Sequence, residues 1–95
     1  MMKKYYLSIA SIFKNESWGL KEWLDHYSFH GVDHVYLVND FSDDDSLTIL
    51  QPYIDSGFVT LFQNDISAMY KGRQIDINNK FFKPILNETR WIANI

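Results

Sequence analysis

Apolar, aromatic and β-branched residues dominate residues 5–13, with only Ser8 and Ser11 interrupting them, and the polar run Lys14-Asn15-Glu16 ends the stretch. That pattern predicts a strand. Over residues 18–30 the spacing changes, because Leu20, Trp23, Leu24 and Tyr27 recur at i, i+3, i+4 and i+7 while Lys21, Glu22 and Asp25 take the other face. An amphipathic helix is expected there, with Ser17 as its N-cap and Gly31 as its C-terminal stop. The short apolar run at residues 34–38 reads as a strand buried on both faces of a parallel sheet. Residues 39–46 form a polar turn, after which Leu47, Leu50 and Ile54 return at helical spacing. Pro52 interrupts that spacing and Gly57 closes it, which predicts two short helical turns. Residues 58–62 read as a third strand and residues 74–82 as a third helix, with Ile75, Asn78, Phe82 and Ile85 sharing a face if the helix continues past Pro84. Residues 91–95 read as a fourth strand.

Strand and helix thus alternate as βαβαβαβ, and parallel strands need crossover helices. The expected fold is α/β, an open and mostly parallel sheet with crossover helices, formed as one domain over residues 1–95. In such sheets ligands sit outside the carboxyl ends of the strands. Residues 14–17, residues 39–45 and whatever follows Ile95 are therefore where chemistry should be sought.

Composition narrows the choice of partner. Hydrophobic residues make up 46% of the chain and charged residues 22%, far from the composition of a disordered chain. The formal net charge is -3, and the nine Lys and Arg residues are scattered, so no basic stripe is available to neutralise a phosphate backbone and nucleic acid is excluded as a partner. The chain has no cysteine, which removes thiolate chemistry and suits a reducing compartment, the cytoplasm or the cytoplasmic face of a membrane. No stretch approaches the length of a transmembrane segment, and the basic start at Lys3 and Lys4 lacks the cleavage region of a signal peptide.

The residues at the strand ends carry a resemblance. Lys14-Asn15-Glu16, Glu22-Trp23-Leu24, Gly31-Val32-Asp33-His34 and Asn39-Asp40-Phe41-Ser42-Asp43-Asp44-Asp45-Ser46 resemble the family-2-like and family-92-like glycosyltransferases of GT-A fold. Leu50-Gln51-Pro52-Tyr53-Ile54 and Gly57-Phe58-Val59-Thr60-Leu61 continue it, it is weak over residues 62–90, and it returns at residues 91–95. The resemblance implies transfer of a sugar from a nucleotide-diphosphate donor, commonly a uridine diphosphate sugar, to a hydroxyl of a glycan or other acceptor. It also implies a divalent cation, manganese or magnesium, held by an Asp-x-Asp motif directly after a strand like residues 91–95. Those ligands are not in this chain, which is therefore expected to be a truncated, donor-binding part. In the family's sheet that last strand would be central, so its uncovered edge is expected to favour self-association.

Uracil offers one N–H between two carbonyls and ribose offers hydroxyls, so a nucleotide pocket needs a carboxylate or amide near backbone amides. Asn39 and Asp40 stand where the family places such groups, and Asn15 and Glu16 form the facing wall of the same crevice. Asp44 matches a recurrent aspartate of the family, although capping or bracing the loop accounts for it equally, and Asp43 and Asp45 read as helix-capping residues. Arg73 and Gln74, with Lys71 nearby, are candidates for the donor's diphosphate, because guanidinium suits phosphate.

Two other patterns fail on chemistry. Asp40, Ser42, Asp44 and Ser46 imitate the start of a calcium-binding EF-hand loop, but Asp45 stands where glycine is needed and Gln51 where a bidentate glutamate is needed. His26 and His30 have the spacing of a zinc pair, yet no third ligand accompanies them. The alternative function is a non-catalytic nucleotide-binding or interaction module built on the same sheet.

Overall fold

The computed structural model describes residues 4–64 and 76–94. Its elements are β1 (Tyr5–Phe13), α1 (Ser17–Phe29), β2 (His34–Asn39), α2 (Ser46–Asp55), β3 (Val59–Gln63), a π-helical turn (Asn78–Phe82) leading into a 3-10 turn (Lys83–Asn87), and β4 (Thr89–Asn94). All strand pairs are parallel and the order across the sheet is β3-β2-β1-β4. The α/β sheet expected from the alternation is the one formed.

Period-two alternation divides the strands between two cores. Ile9, Phe13, Val35, Leu37 and Val59 pack with Leu20 and Leu24 of α1 and Leu50 of α2. Ala10, Tyr36 and Val38 pack on the opposite face with Ile77, Phe82 and Ile85. β2 is buried along its whole length, which explains why its sequence is continuously apolar rather than alternating. The chain steps from β1 to β2 to β3 in one direction and then returns to the far side of β1 for β4. Keeping one handedness through that reversal requires α1 and α2 on one face and the β3–β4 connection on the other, and the described part of that connection, residues 76–88, packs there through Ile77, Phe82 and Ile85.

Both α-helices end in the same way. Val32 N–H donates to the Tyr27 carbonyl and Gly31 N–H to that of Ser28, while Phe58 N–H donates to Tyr53 and Gly57 N–H to Ile54. These are Schellman closures, and both glycines have positive φ, 89° and 87°, as the motif requires. Asp33, just beyond the first closure, accepts from the amides of Tyr6 and Leu7 through one carboxylate oxygen, 3.0 Å each, and so ties the start of β1 to the approach to β2.

Three expectations need correction. Ser17 is the first residue of α1 rather than its cap; Glu16 holds the cap position without a side-chain cap bond, and the Ser17 amide is satisfied by Asp44 of the neighbouring loop. α2 runs unbroken through Pro52, since the one carbonyl that proline leaves unpaired, that of Thr48, belongs to an exposed residue where water serves. The third helix is not a regular α-helix in its described part: Asn78–Phe82 is a π-helical turn and Lys83–Asn87 a 3-10 turn. This brings Ile77, outside the expected face, into the core. Ile75 lies outside the described residues.

His34 is buried at the start of β2, 2% exposed, stacked on Tyr5 at 4.2 Å and bonded through Nε2 to Thr60 Oγ1 at 2.7 Å. Burial holds its pKa below the ordinary imidazole value, outweighing the Gly57 backbone and the Glu88 carboxylate, which favour the charged ring. Below about pH 6.5 the unfolded chain takes up a proton that the folded chain refuses. Stability present above that pH should fall as the pH drops from 7 to 5 in urea titrations, and His34→Gln should flatten the decline. Nothing lies within 4 Å of a Cβ built at Gly57, so Gly57→Ala should cost only its backbone strain, roughly 1–2 kcal/mol in urea denaturation.

Candidate functional site

β1 and β2 finish level, with Phe13 in register with Asn39, and the loops that follow are laced together. Asp40 N–H donates to the Phe13 carbonyl at 2.8 Å. Asn15 N–H donates to Ser42 Oγ at 2.9 Å, Asp43 N–H to Asn15 Oδ1 at 2.8 Å, and Ser17 N–H to Asp44 Oδ2 at 3.2 Å. Neither loop reaches this geometry without backbone cost. Asn15 sits at φ 51° and Phe41 at φ 58°; the first is a tolerated residue for that region, the second a bulky outlier held there by its neighbours. Phe41 is also half exposed.

The end of β3 joins the same network. Asn39 is buried, 4% exposed; its amide donates to Gln63 Oε1 at 2.8 Å and its Oδ1 accepts from Ser42 N–H at 3.0 Å. Asn64, also buried, donates its backbone N–H to the Asn39 carbonyl and its side-chain amide to Asp40 Oδ1 at 2.9 Å. A buried amide with both ends engaged is a brace, because leaving either end unpaired would cost about 1–3 kcal/mol.

Asp44 closes the network at the helices. Its Oδ2 accepts from Ser17 N–H at the start of α1, and its Oδ1 accepts from Ser46 N–H and Ser46 Oγ at the start of α2. The Ser46 hydroxyl, followed by the Ser46 and Ser17 amides, holds the Asp44 carboxyl below the ordinary carboxylate range. One side chain thus satisfies free amides at two helix N-termini.

Of the residues singled out in the sequence, Asn15, Glu16, Asn39, Asp40 and Asp44 gather at this one end of the sheet. Arg73, Gln74 and Lys71 lie outside the described residues. Gln63 and Asn64 were not anticipated, although the rule that pointed to the ends of β1 and β2 applies equally to the end of β3. Glu16, exposed at the start of α1, also lines a cleft of about 450 Å³ that runs along residues 11–13 of β1 and the first two turns of α1, with Trp18, Glu22 and Trp23 on its helical side.

The implied divalent cation finds no fitting donor set: among the described residues no three His, Cys, Asp or Glu side chains come together to hold a metal. His26 and His30 bring their rings to 4.4 Å without a third ligand among those residues. No helix of the described residues is long and apolar enough to cross a membrane.

The sequence model of glycosyltransferase family 92 matches residues 3–82. That span contains β1 through the π-helical turn and every residue of the laced loops, and it extends across residues 62–82, where the motif resemblance is weak. It stops before residues 91–95, where the motif resemblance is good. No curated protein matches the chain, and no solved structure does.

The Asp44 carboxylate contributes stability that is present above the ordinary carboxylate pKa and lost as the pH falls through its lowered folded value. Asp44→Ala should therefore lower the urea midpoint at neutral pH more than Asp43→Ala does. The gap between Asp44→Ala and the unmodified chain should narrow in acid.

Proposed function

This chain belongs to glycosyltransferase family 92, and we propose that its laced strand ends form the nucleotide-binding wall of a GT-A-type donor site. The donor is a nucleotide-diphosphate sugar, uridine diphosphate being the favoured nucleotide, and the acceptor is a hydroxyl of a glycan or comparable molecule. The observation that carries this reading is the convergence of Asn15, Glu16, Asn39 and Asp40 at the carboxyl end of β1 and β2. It lies at the carboxyl ends of neighbouring parallel strands, the end at which open α/β sheets bind ligands.

The roles follow from chemistry and burial. Asp40, partly exposed and next to the Asn64 amide, offers a carboxylate for the uracil N–H or a ribose hydroxyl. Asn39 and Asp44 serve by holding the loops, since their polar atoms are already engaged. Arg73 and Gln74 are assigned to the diphosphate on the chemistry of their side chains. When bound, a manganese or magnesium ion would offset the charge of the departing diphosphate; no residue described here is assigned to hold it. A cysteine-free chain suits a site of action in the cytoplasm or on the cytoplasmic face of a membrane.

Calorimetric titration with uridine diphosphate and with a purine nucleoside diphosphate, each with and without manganese, tests the assignment. Uridine-selective binding is expected. Asp40→Ala should weaken it by roughly 10- to 100-fold, the equivalent of one charge-assisted hydrogen bond, and Asp40→Asn, which keeps an acceptor for Asn64, should weaken it with less disturbance of the fold. Equal affinity for both nucleotides, or none for either, would remove the donor-site reading.

A further inference from the structure

The turn after β2 demands a left-handed residue at position 41 but not a phenylalanine. The backbone of Phe41 sits at φ 58°, a region that glycine or asparagine enters cheaply and a bulky side chain does not. Its ring is 48% exposed, so much of its apolar surface stays in water as well. Among the described residues, positive φ outside glycine occurs only at Asn15 and Phe41, and Asn15 is of a tolerated type with its Oδ1 engaged by the Asp43 amide. The exposed aromatics Tyr6, Trp18, Phe29 and Trp91 all lie in strands or helices with ordinary backbone. A strained residue that also leaves its ring in water points to a use for the ring.

The neighbours fix where that ring stands. On one side Asp40 N–H donates to the Phe13 carbonyl and Asp40 Oδ1 accepts from the Asn64 amide. On the other, Ser42 N–H donates to Asn39 Oδ1 and Ser42 Oγ accepts from the Asn15 amide. Phe41 is thus presented on a braced stretch, directly beside the carboxylate offered to the uracil N–H. That carboxylate meets only the edge of a base, and an edge hydrogen bond open to water contributes little on its own. Asp40, Ser42 and Asp43 flank the ring, so a purely apolar partner would have to desolvate carboxylates without pairing them. A heterocyclic base carries both features needed, a flat π face for the phenyl ring and an N–H on its edge for the carboxylate.

We infer that Phe41 is a specificity-determining residue of the donor site, an aromatic platform on which the nucleobase stacks while Asp40 reads its edge. The inference rests on the nucleotide reading of the laced loops and adds to it a requirement for a planar, aromatic base.

Calorimetry of the full chain compares uridine diphosphate with dihydrouridine diphosphate, whose ring keeps the same N–H and carbonyls but is no longer flat or aromatic. The unmodified chain should bind uridine diphosphate about tenfold more tightly. Phe41→Leu, which keeps apolar bulk, should bring the two affinities together by weakening uridine diphosphate, and Phe41→Trp should keep them apart. Phe41→Gly should act as Phe41→Leu does while leaving the urea midpoint no lower than the parent's, because relief of the positive φ offsets the lost packing. Equal affinities in the unmodified chain, a difference that survives Phe41→Leu, or a midpoint that falls sharply in Phe41→Gly would overturn the inference. So would displacement of uridine diphosphate by tetramethylammonium at a concentration where sodium chloride has no effect, which would assign the ring to a cation. Binding of neither compound would remove the donor reading together with this one. Loss of selectivity for uridine over a purine nucleotide, with the Phe41 effect intact, would strike only the role of Asp40.

Discussion

The site depends on one constraint: the loops after β1 and β2 must complete each other's backbone hydrogen bonding, because neither satisfies all of its own. Two parallel strands that end in register leave free amides and carbonyls at the same level, beside two helix N-termini with unpaired amides of their own. Asn15, Ser42 and Asp44 supply the missing partners across the gap, and the Phe13 carbonyl receives Asp40 N–H. The left-handed conformations of Asn15 and Phe41 are the cost of turning both chains sharply enough to meet. With the loops fixed in this way, Glu16 and Asp40 are carried to one end of the molecule on a preorganised frame.

Topology gives that frame its location. α1 and α2 cover one face of the sheet and the π and 3-10 turns cover the other, so the direction of the chain reverses between β1 and β4. The laced loops stand at the carboxyl ends of the strands, the end at which open α/β sheets bind ligands. The family match over residues 3–82 covers the laced loops in full, and the tryptophan-lined cleft lies within the same span. Glu16 stands at the laced loops and also lines that cleft.

Burial separates the polar residues of this region by role. Asn39 and Asn64 are almost wholly buried with their amides engaged, which makes them braces whose removal would leave unpaired groups inside the protein. Glu16, Glu22 and Trp18 are exposed, and their substitution disturbs little but whatever binds there. Asp40 stands between these classes, intermediate in exposure and bonded to the Asn64 amide.

Period-two and period-3.6 patterns placed four strands and two helices to within a residue or two, because burial of one face is what those periods encode. Gly31 and Gly57 announced the helix ends for the same local reason: only glycine takes positive φ there at little cost. The strand-end rule then located Asn15, Glu16, Asn39, Asp40 and Asp44. What it could not convey was division of labour, since whether Asn39 or Asp44 faces a ligand or a neighbouring amide depends on the other loop, 24 to 28 residues away in the chain. Pro52 inside α2 and the π-helical turn Asn78–Phe82 were likewise settled by the sheet they pack on, where burial of Leu50, Ile77 and Phe82 outweighs local helical preference. Local pattern determined which elements form and where the chemistry should be sought; long-range pairing of parallel strands decided which side chains hold the structure and which are left to act.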